Sequence, residues 1–280
     1  WKVYFKNGKT HLELTYKGDS LRGPYKKYYE NGTLKLKTTL GIAKSTVGVE
    51  ESFYESGVKK SKYNGISGDY TAWYENGTLH KKGRFGKQEK KEGLWQVNYS
   101  NGFKHKEVNY INGKFEGLYK KFNKKGVLVE LINCKNDIEC GEYKSFDDNG
   151  KLESKGNFNS IGKKDGVWEE YFTDGSLKLK KTYKDGEING LQETYSKSKK
   201  LLVRNTMIND KMVGKYESYN SNGEPAVSCN YNQEGLLDGL YIKYNEKGKA
   251  IVKGVYSNGK KQGKWLEVDA NGKKKKINYD

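Results

Sequence analysis

Residues Gly166–Gly190, with the sequence GVWEEYFTDGSLKLKKTYKDGEING, contain the pattern that decides the fold of the whole chain. Trp168 and Tyr171 follow the first glycine, and an Asp174-Gly175 pair separates this aromatic run from a second run that ends at Tyr183. Because Asp and Gly tolerate a positive φ, such a pair is typical of a two-residue β-hairpin loop. The stretch is therefore predicted to form one antiparallel β-hairpin.

The same pattern recurs along the chain at a nearly constant spacing. Opening glycines stand 24 or 25 residues apart, except for one step of 20 residues after Gly48. A hairpin glycine follows each of them by nine residues, except after Gly190, where Lys199 takes its place. The opening glycines are Gly23, Gly48, Gly68, Gly93, Gly117, Gly141, Gly166, Gly190, Gly214, Gly239 and Gly263. About twelve 24-residue hairpins are predicted, with residues 1–280 forming a single repeat array.

The composition agrees with an array, because repeats pack on their neighbours and need no deep globular core. Only 34% of the residues are hydrophobic, yet the chain contains 23 Tyr, 9 Phe and 5 Trp. A tyrosine can bury its ring while its hydroxyl group stays hydrated. The predicted fold is all-β, an elongated, twisted antiparallel meander that forms an open β-hairpin solenoid. No apolar run is long enough to predict a transmembrane helix.

The first residues fit the same repeat. Trp1 precedes Gly8 by seven residues, as Trp168 precedes Gly175. We therefore expect that the sequence starts within a repeat whose opening glycine is missing, and that further residues precede Trp1.

The aromatic positions predict a binding surface. Trp168 and Tyr171 are three residues apart, so a regular strand places them on opposite faces. Either a bulge brings them together or both faces carry aromatic side chains. The candidate surface is the aromatic face that the protein does not cover itself, around Trp73, Trp95, Trp168 and Tyr171. The irregular units after Gly48 and Gly190 are second candidates.

These residues resemble MORN (membrane occupation and recognition nexus) repeats, most closely the MORN-variant repeats of bacterial YwqK-like antitoxins. The matching positions of one unit are Gly166, Trp168, Tyr171, Asp174, Gly175, Leu177, Tyr183 and Gly186. Equivalent positions recur over practically the whole chain. The resemblance implies a role in scaffolding, lipid contact or partner binding, and for an antitoxin it implies a toxin as partner.

The residues that could support catalysis do not converge on one site. His11, His80 and His105 each lie three residues after a hairpin glycine, where other repeats mostly carry charged residues. We expect these histidines on a solvated face, because a two-histidine zinc site would lack its third and fourth ligands. Carboxylates such as Glu169 and Glu170 are predicted to form cross-strand salt pairs. We predict no enzyme activity, no cofactor and no metal site.

The net charge of +18 favours anionic partners. Only three of the 53 basic residues are arginine, the type whose planar fork suits base and phosphate recognition, so specific nucleic-acid binding is not predicted. We predict a non-catalytic scaffold for protein–protein interaction, an accessory subunit of a larger bacterial cell-envelope complex. The first alternative is a lysine-rich binder of anionic lipid or polysaccharide. The second alternative is an antitoxin-like partner of a toxin.

The cysteines form one local irregularity. Cys134 replaces the aromatic residue of a return strand, and Cys140 directly precedes Gly141. The two positions flank a turn between repeats, so Cys134 and Cys140 are a candidate disulfide. The alternative is two thiols, and Cys229 would be unpaired in either case. A disulfide indicates an oxidising compartment, which favours the bacterial cell envelope or surface, with the cytoplasm as the alternative.

Overall fold

The computed structural model describes residues 1–41, 48–269 and 271–279. These residues form antiparallel β-strands, with one short 3-10 turn at Lys87–Glu89. The predicted all-β antiparallel fold class is confirmed. The chain divides into two compact units, Trp1–Ile138 (unit 1) and Glu139–Asp280 (unit 2). The single array over residues 1–280 stays a prediction.

Unit 1 contains six hairpins within its described residues, and a separate two-stranded ladder follows the first of them. Its strands are β1 (Lys2–Tyr4), β2 (Thr10–Glu13), β3 (Tyr16–Lys17), β4 (Ser20–Leu21), β5 (Gly23–Tyr28), β6 (Leu34–Leu40), β7 (Val49–Phe53), β8 (Lys59–Asn64), β9 (Asp69–Trp73), β10 (Leu79–Phe85), β11 (Lys91–Asn98), β12 (Lys104–Ile111), β13 (Lys114–Phe122) and β14 (Leu128–Lys135). Strands β3 and β4 pair with each other, and β2 pairs with β5.

Unit 2 contains six further hairpins within its described residues. Its strands are β15 (Ile138–Phe146), β16 (Leu152–Phe158), β17 (Lys164–Tyr171), β18 (Leu177–Lys184), β19 (Glu187–Tyr195), β20 (Leu201–Ile208), β21 (Lys211–Tyr219), β22 (Pro225–Tyr231), β23 (Gly239–Tyr244), β24 (Ala250–Ser257), β25 (Lys260–Val268) and β26 (Lys274–Tyr279). Each strand pairs with the next along the chain, so each hairpin is stabilised by its sequence neighbours.

The hairpin loop after Phe172 is one residue longer than the predicted two-residue loop. The Gly175 N–H donates to the Phe172 carbonyl, and the Phe172 N–H donates to the Ser176 carbonyl, both at 2.8 Å. Gly175 has a φ of +84°, which a type I turn followed by a bulge glycine requires. Asp174 Oδ1 accepts the Ser176 N–H at 2.9 Å. This bond explains why Asn or Asp so often precedes the hairpin glycine.

The hairpin after Gly190 keeps this loop geometry without its glycine. Lys199 has a φ of +63°, and its N–H donates to the Ser196 carbonyl at 2.9 Å. A left-handed conformation costs a residue with a Cβ on the order of 1 kcal/mol. The degenerate sequence of this unit therefore does not change its hairpin.

Aromatic rings from successive strands pack on one side of the sheet, which we call the ring face. The Trp168 ring centroid lies 5.0 Å from that of Phe158 and 6.3 Å from that of Tyr183. The Nζ of Lys164 covers the indole at 4.2 Å from its centroid. Trp95 is surrounded in the same way by Phe85, Tyr110 and Lys91. Trp168 is 7% exposed and Trp95 is 2% exposed. These rows of rings form the core.

The three buried tryptophans at this repeat position each lie on a glycine of the preceding return strand. The pairs are Gly83 with Trp95, Gly156 with Trp168, and Gly254 with Trp265. A Cβ added to any of the three glycines would lie only 2.0–2.2 Å from an indole carbon. Where a tyrosine occupies the same position, the residue opposite it on the preceding return strand can have a side chain, as Val108 does opposite Tyr119 and Asn205 does opposite Tyr216. The indole therefore requires a glycine beneath it.

The backbone adjusts at the same point. The register between β16 and β17 shifts at Gly156, and Trp168 Nε1 donates across the strands to the Asn157 carbonyl at 3.0 Å. Trp95 Nε1 donates to the Arg84 carbonyl at 3.0 Å in the equivalent place. The indole thus supplies a cross-strand hydrogen bond where the backbone ladder is irregular.

Replacing Gly83 by alanine should destabilise the protein, because the new Cβ would lie 2.2 Å from the ring of Trp95. We expect Gly83→Ala to lower the free energy of unfolding by about 1–3 kcal/mol, measured by urea unfolding followed by circular dichroism. Gly86→Ala is the control, since a Cβ there would meet Glu92 only at 3.4 Å. Equal effects of the two substitutions would contradict the packing described.

Candidate functional site

The two faces of the sheet carry different side chains. Trp168 packs in the ring face, whereas the Tyr171 hydroxyl donates to Glu169 Oε2 at 2.6 Å on the opposite side. The Lys155 Nζ lies on that opposite side as well, 5.7 Å from the Tyr171 ring centroid. The sequence left two alternatives for Trp168 and Tyr171, a bulge that brings them together or aromatic side chains on both faces. The second alternative is correct. We call the side with Tyr171 the ladder face.

The residues of the predicted binding surface differ in accessibility. Trp95 and Trp168 are buried, so they cannot offer their rings to a partner without unpacking the core. Trp73 and Tyr171 are half-buried. Binding at the predicted surface stays a prediction, and any contact through folded protein has to involve Trp73, Tyr171 or the residues that cover the buried rings.

An exposed aliphatic stripe on the ladder face was missed by the sequence reasoning. Each of its members directly follows an opening glycine and is 40–62% exposed. They are Val49, Leu94 and Leu118 in unit 1, and Val167, Leu191 and Leu240 in unit 2. The residues opposite them are often small and polar, such as Asn109 opposite Leu94 and Thr182 opposite Val167. Strict strand alternation from Trp168 could have found the stripe, because adjacent residues point to opposite faces.

A row of alternating charges runs beside the aliphatic stripe in unit 2. In this charge ladder each residue lies directly opposite the next on the neighbouring strand. Its members are Lys155, Glu169, Lys180, Glu193, Arg204 and Glu217. The Lys155 Nζ lies 2.9 Å from Glu169 Oε2, and Arg204 Nη2 lies 2.7 Å from Glu193 Oε1. The cross-strand salt pair predicted for Glu169 is therefore confirmed.

Two of the ladder carboxylates, Glu169 and Glu193, have lowered pKa values, which favours their ionised form. The Tyr171 hydroxyl, followed by the Lys155 ammonium, lowers the pKa of Glu169 below its ordinary value. Burial of Glu193 opposes its ionisation, but hydrogen bonds from Arg204 and the Tyr195 hydroxyl outweigh burial and lower the pKa of Glu193. The charge ladder of unit 2 is consequently self-neutralised at neutral pH.

Hydrogen bonds also join the hairpin loops of unit 1. The Tyr74 hydroxyl donates to the Asn98 carbonyl at 2.8 Å, and Asn76 Nδ2 donates to the Ser100 carbonyl at 2.9 Å. Each bond reaches one repeat further along the chain. Hydroxyl bonds of the same kind are made by Tyr29, Tyr54 and Tyr99. These contacts fix the spacing of successive loops.

Two of the histidines are half-buried, and their rings lie against these tyrosines. The ring centroids of His80 and Tyr74 lie 4.3 Å apart, and those of His105 and Tyr99 lie 4.4 Å apart. Burial, and then neighbouring lysine charges, lower the pKa of both histidines. Over the residues that the structure describes, no three His, Cys, Asp or Glu side chains are grouped to hold a metal ion.

The cysteines occupy strand positions. Cys134 is buried in β14 opposite Gly117, Cys140 is half-buried in β15, and Cys229 is buried in β22 opposite Tyr216. The structure contains them in the reduced form, so the Cys134–Cys140 disulfide is not formed in it and stays a prediction. Burial raises the pKa of the Cys229 thiol.

A family model described as a MORN repeat variant matches residues 21–40, 139–160, 164–185 and 212–233. These four regions coincide with hairpins β5–β6, β15–β16, β17–β18 and β21–β22. The resemblance inferred from the sequence is confirmed. Repeats of this family are typically protein-binding or membrane-binding modules. Across the described residues, no helix has the length and apolar character needed to cross a membrane.

Solved structures of toxin complexes also match, at low similarity. A crystal structure of TcdB2-TccC3-Cdc42 has a TM-score of 0.21 and 10% identity, over 94% of this chain and 18% of that chain. TcdB2-TccC3-TEV has a TM-score of 0.20 and 12% identity, over 98% and 17% of the two chains. The structure of the Photorhabdus luminescens Tc holotoxin pore has a TM-score of 0.20 and 12% identity, over 98% of this chain and 18% of that chain.

This chain therefore spans less than a fifth of the length of those solved chains. Similarity with TM-scores near 0.2 supports no conclusion about fold or function. No curated protein matches the sequence.

The lowered pKa values of His80 and His105 predict a loss of stability in mild acid. The unfolded histidines, with a pKa of about 6.5, take up protons before the folded ones do, so the free energy of unfolding should fall as the pH decreases below about 6.5. Urea unfolding between pH 7 and pH 5 measures this slope. The lowered pKa values of Glu51, Glu169 and Glu193 act mainly below about pH 5, because those carboxylates are half protonated in the unfolded chain only near pH 4.5.

The matched variant for this test is His80→Gln combined with His105→Gln. It should show a flatter dependence of stability on pH over the same range. A slope equal to that of the unmodified protein would show that the two histidines do not carry the effect.

Titration of the denatured chain tests the predicted disulfide. One thiol per chain is expected if Cys134 and Cys140 are bridged, because only Cys229 then reacts. Three reactive thiols would refute the bridge and remove the argument for an oxidising compartment.

Proposed function

Because this chain contains repeats of the MORN-variant family, we propose that it is a non-catalytic scaffold that binds another protein. In this proposal it serves as an accessory subunit of a larger bacterial complex at the cell envelope. The proposed location depends on the predicted Cys134–Cys140 disulfide, and the thiol titration above tests it.

The aliphatic stripe is the observation that carries the proposal. In unit 2, Val167 and Leu191 are 44% and 40% exposed, which is high for aliphatic side chains. Thr182 and Thr206 lie opposite them and are uncharged. Exposed apolar side chains at the same position of two successive repeats lie on one face, and apolar groups exposed together are typical of a protein-contact surface.

The charge ladder supports the same proposal. The stripe residues and the ladder glutamates lie on the same face, two residues apart along each strand, as Val167 and Glu169 do. A partner would therefore meet an apolar centre beside a row of charges that ion pairs hold in place. An apolar centre with a polar rim is the usual composition of specific protein interfaces. Contacts repeated over several hairpins would add up along the surface.

Substitution of the stripe tests the proposal. We expect Val167→Asp combined with Leu191→Asp to reduce capture of the partner from an extract of the source organism about tenfold or more, as a loss of two central apolar contacts would. Ile161→Asp combined with Leu236→Asp is the control, since these residues are also exposed, at 63% and 46%, but lie between hairpins. Circular dichroism establishes that each variant is folded. Equal capture by both variants, or no partner for the unmodified chain, would refute the proposal.

The second candidate function is binding to anionic lipid or polysaccharide, and the charge distribution favours it for unit 1. Residues 1–138 contain 27 Lys and Arg against 14 Asp and Glu, whereas residues 139–280 contain 26 against 21. Most of the net positive charge therefore lies in unit 1. Sedimentation with phosphatidylserine vesicles, falling steeply with added salt, would support this candidate over the scaffold.

A further inference from the structure

The charge ladder has a gap in unit 1. The row at the equivalent strand positions is Glu51, Lys62, Thr71, Lys82, Gln96 and Glu107, with each residue directly opposite the next. In two hairpins of unit 2 the residue three positions after the opening glycine is a glutamate between two cations: Glu169 between Lys155 and Lys180, and Glu193 between Lys180 and Arg204. Thr71 holds that position after Gly68. The gap therefore lies in the repeat that follows the shortened step between Gly48 and Gly68.

The carboxylates that border the gap are already engaged. Glu51 Oε2 lies 2.7 Å from the Lys37 Nζ, and Glu51 Oε1 lies 2.5 Å from the Lys59 Nζ. These two hydrogen bonds lower the pKa of Glu51 to about 2. At the other border, Glu107 Oε1 lies 2.6 Å from the Lys104 Nζ. The border carboxylates are thus committed to other lysines.

Lys62 and Lys82 are exposed, and within the described part of the chain neither forms an ion pair. Gln96, which follows Lys82 in the row, is uncharged, and its amide donates to Asn98 Oδ1 at 2.8 Å. Neighbouring strands are about 4.8 Å apart, so the Cα atoms of Lys62 and Lys82 are separated by about 10 Å. The half-buried Thr71 lies between them and brings a hydroxyl group but no charge.

A shallow cleft lies at one end of the gap. Its lining includes Thr71, Lys82, Gly83, Arg84 and the 62% exposed side chain of Leu94. Position 83 points to the ring face, where a Cβ would meet the Trp95 indole, so Gly83 contributes only backbone to the cleft. Two carboxylates also line the cleft, and Arg84 lies directly opposite both of them, Asp69 on β9 and Glu92 on β11. One guanidinium thus faces two carboxylates, so the Arg84 end carries no excess positive charge, and among the described residues of the gap the cations without an ion pair are Lys82 and Lys62.

We propose that this gap binds carboxylate side chains of an acidic polypeptide segment, which completes the charge ladder that unit 2 completes with its own glutamates. The exposed Leu94 beside it accommodates an aliphatic residue of the same segment. A polypeptide segment fits the gap better than a flat anionic membrane does, because the gap offers only two cations, about 10 Å apart, with an exposed aliphatic side chain beside them. The inference rests on the proposed protein-binding function and names the chemistry of the partner.

Binding of a fluorescein-labelled peptide of eight glutamates to the full chain, measured by anisotropy at low salt, tests the inference. We expect Lys62→Gln combined with Lys82→Gln to weaken binding by roughly five- to tenfold, as the loss of two exposed charge pairs would. Lys124→Gln combined with Lys125→Gln removes the same charge from a loop of unit 1 and should weaken binding less than about twofold. Equal weakening by the two pairs would overturn the inference, because it would show attraction to net charge alone.

Thr71→Glu is the second variant. It places a carboxylate between Lys62 and Lys82, so it should reduce peptide binding by at least about fivefold without lowering the melting temperature. Unchanged binding by this folded variant would overturn the inference. Anionic vesicles that bind more tightly than the peptide, with the same dependence on Lys62 and Lys82, would also overturn it in favour of a membrane.

The outcomes are separable from those of the proposed function. A protein partner captured through Val167 and Leu191, but independently of Lys62 and Lys82, would overturn this inference and leave the scaffold proposal standing. Peptide binding that depends on Lys62 and Lys82, together with capture of a partner that does not depend on Val167 and Leu191, would support this inference and overturn the proposal that the stripe is the binding surface.

Discussion

The packing of an indole on a glycine of the neighbouring strand is the contact on which the ring face depends. Trp168 lies on Gly156, between the rings of Phe158 and Tyr183, with Lys164 above it. Its strand, β17, pairs with β16 and β18, the strands before and after it in the chain, so the ring is buried by adjacent hairpins. The apolar content of this sequence is low, and these rows of rings are where it stabilises the fold.

Because the aromatic side chains of the ring face are buried in the core, the side chains that a partner could contact lie mainly on the ladder face. The ladder face carries the exposed aliphatic stripe and the charge ladder, and both repeat with the hairpins. In unit 2 the ladder neutralises itself through pairs such as Arg204 with Glu193, which leaves the stripe around Val167 as the accessible apolar feature. In unit 1 the ladder is incomplete at Thr71, and the excess of lysine is larger. The two units therefore offer different chemistry on equivalent surfaces.

The fold could be predicted from the sequence because glycines such as Gly166 and Gly175 occupy positive-φ positions at a fixed interval. The burial of Trp95 and Trp168 could not be predicted from the sequence, because it depends on the cross-strand register that brings Gly83 and Gly156 beneath the two rings. The stripe was missed for a related reason, since its aliphatic residues carry a weaker repeat signal than the aromatic ones. The gap at Thr71 becomes visible only when the register assigns its neighbours.

The central claim is that the indole and the glycine beneath it require each other, and a double-mutant cycle on Gly156 and Trp168 tests it directly. Urea unfolding gives the stability of the unmodified chain, Gly156→Ala, Trp168→Tyr and the double variant. Because Tyr119 packs opposite Val108, we predict that a tyrosine accommodates the added Cβ, with a favourable coupling energy of at least about 1 kcal/mol. Additive losses, with no coupling between the two positions, would contradict the account.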